Sequence, residues 1–196
     1  MTAEDRVDAV DVEVVADVDA VEVAADVDPV DLVDVVDEND VVIATVTRHE
    51  MRTKRLRHRG VFVAVVTSEN RIVIHQRSPH KDIWPSRWDI GAGGVVDAGE
   101  TYGVAAAREL GEELGISAEL LDLGGGYFED DDVALFGRVF LARHDGPYHF
   151  TDGEIVAIEM VTIEELDQLV PQREWCSDSI ESALPLLRSY MTRPTI

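Results

Sequence analysis

Residues 94–116 constrain this chain more tightly than any other stretch. A glycine loop, Gly93-Gly94 to Gly99, leads into a helix-forming run from Tyr102 to Leu114. Thr101 can accept a hydrogen bond from a free N–H of the first turn, and Gly115 can adopt the positive φ that ends a helix. Between them Val104, Ala107, Leu110 and Leu114 fall on one face at 3.6-residue spacing, which leaves Glu109, Glu112 and Glu113 on the other. Carboxylates so placed repel at roughly 0.2–0.5 kcal/mol per pair on a solvated helix. A hard divalent cation among them reverses the sign, and Mg²⁺ takes one or two carboxylates together with phosphate oxygens and water. A solvated acidic face accounts for three glutamates as well as a metal site does. The residues around them decide.

Those residues are Gly94, Glu100 after five more positions, Arg108-Glu109-Leu110 after seven more, then Glu112-Glu113 and Gly115-Ile116. Nine constrained positions over 23 residues resemble the Nudix box with no departure. The flanks, from about Asp34 to Leu187, resemble the Nudix subgroup built around an isopentenyl-diphosphate-isomerase-like core. The resemblance implies an α/β fold, a Nudix-type α/β/α sandwich with a mixed sheet and the box as loop–helix–loop. It implies hydrolysis of a diphosphate bond in a nucleoside diphosphate derivative or related organic diphosphate, with Mg²⁺ as cofactor and Mn²⁺ as the alternative. On that resemblance Glu109, Glu112 and Glu113 hold the metal, and Glu112 or Glu113 doubles as the base. Arg108 orients the glutamates, and Gly94, Glu100 and Gly115 shape the box.

Two rival readings are open to a chain of this kind. The isomerases of the resembled subgroup carry a catalytic Cys just before the box glycine and a metal-binding His just after it; here those positions are Gly93 and Val95. A non-catalytic module that senses a nucleotide or diphosphate would be marked by lost box glutamates, and none is lost. Both rivals rank below hydrolysis.

Charge narrows the partners. The chain of 196 residues has a formal net charge of −23. Residues 1–40 hold 15 acidic side chains and one arginine, while the rest hold 25 acidic and 16 basic groups. A moderately acidic domain behind an acidic tail is a poor nucleic-acid binder. The single Cys176 cannot form an internal disulfide, which fits a reducing cytoplasm. No apolar run reaches the roughly 18 residues of a membrane span. The expectation is a soluble cytoplasmic protein acting on a small molecule; the sequence is silent on oligomeric state.

Along the chain, residues 1–31 alternate Val, Ala and Asp/Glu without an aromatic residue or glycine, which reads as a disordered tail. The domain is expected from residue 32 to 196. Asp37-Glu38-Asn39-Asp40 between two Val-rich runs predicts a hairpin. Six of the 17 basic residues follow within 12 positions, at Arg48, Arg52, Lys54, Arg55, Arg57 and Arg59. They form either a solvated face or a phosphate clamp, for which Arg55, Arg57 and Arg59 are the candidates, with Lys81 further on. Gly60–Thr67 and Arg71–Arg77 read as buried strands. Trp84 and Trp88 precede the box; Trp88 reads as core, and Trp84 as either core or pocket wall. Strands are expected over 118–126, 133–142 and 153–161, and a kinked helix over 177–191 around Pro185. Glu154, in the loop before the last strand, is the candidate for an extra base or metal ligand on family resemblance.

Overall fold

Apolar strands such as Val61–Val66 need cover on both faces of their sheet. The computed structural model, which describes residues 32–150 and 153–192, supplies it from three helices. The acidic tail of residues 1–31 lies outside the described residues.

In chain order the elements are β1 (Leu32–Val36), β2 (Val42–Thr47), α1 (Arg48–Thr53), β3 (His58–Val66), β4 (Ile72–Arg77), β5 (Trp88–Ile90), β6 (Ala92–Val95), α2 (Tyr102–Leu114), β7 (Leu120–Glu129), β8 (Ala134–Arg143), β9 (Ile155–Val161), α3 (Ile163–Leu169) and α4 (Leu184–Met191). The main sheet has seven strands in the path β5-β4-β3-β8-β7, with β6 on β3 and β9 on β4. The β3–β8 pairing is parallel and the others are antiparallel, so the sheet is mixed. Strand β3 sorts its side chains by parity. Val61, Val63 and Val65 pack with Ala105, Ala106, Leu110 and Leu114 of α2. Ala64 and Val66 pack with Leu166 of α3 and Leu184 and Leu187 of α4. The result is an α/β/α sandwich.

The sheet splits where the functional residues gather. Strand β3 meets β4 at one register position, Val66 with Ile72, and pairs with β6 over Gly60–Val63. The chain crosses from β5 to β6 at Gly91, where φ is +72° and a Cβ would stand 1.9 Å from the Val63 carbonyl oxygen. Only glycine makes that crossing.

The predicted hairpin is present as a separate two-stranded sheet. Asp37 Oδ1 accepts from the N–H groups of Asn39 and Val41 at 2.8 and 3.0 Å, the side-chain bonding that makes Asp a turn residue. The basic segment after it is no single element. Its first part forms α1, capped by the Thr47 hydroxyl, and its last part enters β3. Six residues are too few for local pattern to announce a helix; buried Met51, packed with Val33 and Val95, holds it. The expected final helix begins with a π-helical turn, Ser179–Ala183, before α4, and Pro185 falls in the first turn of α4, where a missing N–H costs little.

Candidate active site

Helix α2 has the predicted caps. Thr101 accepts from the Val104 N–H, and Gly115 sits at φ 64° with its N–H on the Gly111 carbonyl. Its faces differ from the sequence expectation. Val104 is 56 % exposed and Ala107 is exposed, whereas the buried set is Ala105, Ala106, Glu109, Leu110, Glu113 and Leu114. Glu109 and Glu113 therefore flank the apolar stripe and are only 7 and 4 % exposed. Glu112 faces solvent. Two tiny residues, Ala105 and Ala106, let the helix sit close to the sheet, and that shifts the buried stripe by one position.

Arg108 organises the carboxylates. Its Nη1 donates to Glu109 Oε1 at 2.8 Å and to Glu112 Oε2 at 3.1 Å. Its Nη2 donates to Glu100 Oε2 at 3.0 Å and to the Val95 carbonyl at 3.1 Å. Glu100 in turn accepts from the Asp97 N–H at 3.1 Å, so helix and loop share one guanidinium. Burial opposes ionisation of Glu100 but the Arg108 and Asp97 bonds outweigh it, and its carboxyl titrates below the usual range. Burial pushes Glu109 upward despite Arg108. Glu113 is raised well above the ordinary value by burial first and by Glu109 second, against a 3.1 Å bond from the Gly93 N–H. Gly94 makes room for this arrangement, since a Cβ there would stand 2.2 Å from Glu109 Oε1.

Glu109, Glu112 and Glu113 border a cavity of about 640 Å³ at the split in the sheet. Its other wall is cationic, with Arg48 and Arg52 from α1, Arg77 from β4 and Lys81 beyond it. Lys81, a further phosphate-binding candidate from the sequence, is ion-paired to Glu154, and both line the cavity. Arg55, Arg57 and Arg59 are absent from the lining. Arg55 pairs with Glu129, Arg57 lies over the Tyr127 ring at 5.0 Å, and Arg59 donates to Asp40 at 2.6 Å. Arg55, at φ +50°, turns the chain between α1 and β3 and so aims these side chains away. The cavity-facing members of the basic segment are Arg48 and Arg52, one helical turn apart. No local signal marks them, because a helix of six residues is too short to show its period in the sequence.

Other lining residues were equally hidden. Asp89 and Asp178 meet the cavity from β5 and the final helical segment. Trp84 is a cavity wall and core residue at once, 7 % exposed, with its indole N–H donated to Asp132 at 3.0 Å. Trp88 packs beneath Arg173 at 4.2 Å. His58 is buried, its Nδ1 3.0 Å from the Leu56 carbonyl oxygen, and burial, with Arg52 and Arg48 nearby, lowers its pKa to about 4. His75 is a core residue against the Gly91 carbonyl.

The donor chemistry of α2 fits a hard divalent cation. All three side chains offer carboxylate oxygens, and two of them, Glu109 and Glu113, are buried, with the charge of Glu109 acting on Glu113. Among the described residues no three acidic, His or Cys side chains already converge as a ligand set; Arg108 holds Glu109 and Glu112, and Gly93 holds Glu113.

Three carboxylates on a capped helix of an α/β/α sandwich, with arginines and a lysine across the same cavity, suit a divalent cation and an anion side by side. A family model, the NUDIX domain, matches residues 56–181, and the chain belongs to the Nudix family, whose enzymes hydrolyse pyrophosphate bonds, generally in nucleoside diphosphate derivatives and with divalent metal ions. It is 35% identical over 153 residues to the uncharacterized Nudix hydrolase YfcD of Salmonella typhi, covering 78% of this chain and 80% of the relative. It is 34% identical to an uncharacterized Nudix hydrolase of Pseudomonas aeruginosa, covering 78% of this chain and 88% of that one. The crystal structure of DR0079 from Deinococcus radiodurans superposes with a TM-score of 0.66 at 28% identity, over 81% of this chain and 98% of that one. Among the described residues no helix is long and apolar enough to cross a membrane.

Proposed function

We propose that the chain cleaves a diphosphate bond with Mg²⁺, or Mn²⁺ in its place, bound by Glu109, Glu112 and Glu113. The observation that carries this reading is the burial of Glu109 and Glu113 at a cavity wall, where among the described residues no lysine or arginine pairs with Glu113. Carboxylates raised by burial, and in Glu113 by the charge of Glu109 as well, are costly unless a cation joins them. Bound there, the metal supplies charge neutralisation at the phosphoryl oxygens and a more acidic attacking water. The chain's own residues do the rest. Arg108 fixes Glu109 and Glu112 with one nitrogen and ties them through Glu100 to the loop. Glu113 or Glu112 accepts the proton of the attacking water. Glu154, held at the wall by Lys81, is the candidate for a further base or ligand.

The reading keeps the chain near the subgroup with the isomerase-like core, on the run Trp84–Trp88 and the basic segment. It makes the reaction hydrolysis, because Gly93 and Val95 offer no side chain for isomerisation and Cys176 is buried with Phe62 and Trp84, outside the cavity lining. The enzyme is taken to be soluble and cytoplasmic, with a domain starting at residue 32.

The test is a Mg²⁺-dependent hydrolysis screen over nucleoside diphosphate derivatives, dinucleotides and prenyl diphosphates. Glu112→Gln and Glu113→Gln should each lose ~10²–10⁴ in kcat while staying folded, and the exposed Glu119→Gln should match wild type. Full activity in both box variants sinks the reading, as does isopentenyl diphosphate converted to its isomer without phosphate release.

A further inference from the structure

Among the described residues, four arginine nitrogens are buried with no hydrogen-bond partner: Arg52 Nε, Arg57 Nε, Arg77 Nε and Arg173 Nη1. Arg52 and Arg77 line the cavity and the other two do not. Their carboxylate contacts are loose. Arg52 Nε lies 3.5 Å from Asp82 Oδ2, and Arg77 Nη1 lies 3.8 Å from Asp89 Oδ2. Asp82 is 65 % exposed, so it can swing to solvent when a better anion arrives. Burial and the neighbouring charges of Arg48 and Arg77 both disfavour the charged form of Arg52, with Asp82 opposing them. Arg52 is thus crowded by like charge, whereas Arg77 has Asp89 and Asp178 beside it and keeps its charge against burial. One wall calls for a cation, the other for an anion.

The anion must be compact and highly charged. Three guanidiniums and the Lys81 ammonium face a space already bordered by the metal-site glutamates, and a guanidinium fork matches phosphate oxygens two at a time. A phosphoryl group esterified on both sides carries one negative charge. A terminal phosphoryl group carries about −1.5 to −2 at neutral pH and has three acceptor oxygens. Arg52 is held ready for it. The preceding residue, Met51, is 1 % exposed and packs with Val33 and Val95 next to the box, so the direction of Arg52 is set by the core. Arg48, one turn earlier, bonds Asp97 of the box loop at 3.2 Å and registers α1 against the catalytic loop. Both arginines precede residue 56, where the family match begins.

We propose that Arg52 and Arg77, with Arg48 and Lys81 beside them, form the receptor for a terminal phosphoryl group. The substrate class is then an organic diphosphate or triphosphate with a free phosphate end, not a diphosphate esterified at both ends. This rests on the hydrolase reading for the bond that breaks, but the receptor itself needs no metal. Arg52 is the specificity-determining residue, since it alone combines a buried, unpartnered nitrogen with a position ahead of the family match among the residues of this wall.

Calorimetric titration of the full chain in EDTA-containing buffer tests it. Inorganic pyrophosphate is one probe and P1,P2-dimethyl diphosphate, which lacks a free phosphate end, is the other. Wild type should bind pyrophosphate at least about tenfold more tightly than the dimethyl ester. Arg52→Gln should weaken pyrophosphate binding by about 10–100-fold, the range for a lost charge-assisted contact, and Arg52→Lys by less. Arg188→Gln, paired with Asp167 on α3, should leave it unchanged. Melting curves matching wild type establish that Arg52→Gln is folded. Equal binding of the two probes, unchanged binding by Arg52→Gln, or no binding by wild type overturns the proposal. Hydrolysis confined to doubly esterified diphosphates sinks the receptor alone. Pyrophosphate binding without hydrolysis of any panel member sinks the catalytic reading alone.

Discussion

The two walls of the cavity are built by opposite means. The carboxylate wall belongs to one element, the 13-residue α2, capped at both ends and anchored by an apolar stripe. The cationic wall is assembled from the six-residue α1, the end of β4 and the loop bearing Lys81, none of which would hold its shape alone. A single helix sets the spacing of its side chains through 3.6-residue periodicity. The other wall depends on long-range packing, and its geometry is only as good as the contacts beneath it. Chemistry common to a family is well served by the first kind of construction. Selectivity, which has to vary between relatives, is well served by the second.

Disturbing the anchor of the cationic wall should separate the two most clearly. Met51→Ala removes a fully buried side chain between β1 and β6, and large-to-small changes of this kind cost about 2–5 kcal/mol. Urea denaturation should register that loss. Steady-state kinetics should show KM rising more than kcat falls, because α2 is untouched. A kcat loss with unchanged KM would mean that the walls are one mechanical unit.

Acid should act next. His58 sits at the cationic wall with a pKa near 4 when folded and an ordinary value of 6.5 when unfolded. Below pH 6.5 the unfolded chain therefore binds the proton and the folded chain does not, so stability falls as pH drops from 6.5 to about 4. The full loss from this one group is about 3 kcal/mol. His58→Gln should flatten the pH dependence of the urea midpoint over that range. An unchanged slope would place the acid sensitivity elsewhere.

The smallest effect concerns Arg55, Arg57 and Arg59. Their side chains are spent on Glu129, Tyr127 and Asp40. Replacing each with Ala should change KM for a diphosphate substrate by less than about twofold, because none of the three lines the cavity. A tenfold rise in KM from any of them would return that residue to the substrate contacts and weaken the case for Arg52.

Much of the molecule was legible before any coordinates. The hairpin turn at Asp37–Asp40, the strands around Val61–Val66 and Ile72–Arg77, and the helix from Thr101 to Gly115 all announce themselves through turn chemistry, apolar runs and caps. The identity and order of Glu109, Glu112, Glu113 and Arg108 were readable because a helix converts sequence spacing directly into spatial spacing. Which face they share was not. The expectation that Val104 faced inward and the glutamates outward failed, because Ala105 and Ala106 settle against β3 and rotate Glu109 and Glu113 to the cavity.

What the sequence alone determined is therefore local: the caps, the strand periods, the box spacing and the acid excess of residues 1–40. Tertiary structure decided which basic residues meet the box carboxylates. Arg48, Arg52, Arg77 and Lys81 lie 32 to 65 residues before Glu113 in the chain and reach the same cavity only because Met51 is buried, β3 leaves β4 for β6, and Gly91 lets the strand cross between them. The physical reason is range. Helical and strand periodicity act over a few residues, whereas the meeting of two walls depends on buried contacts between segments whose separation no local pattern encodes.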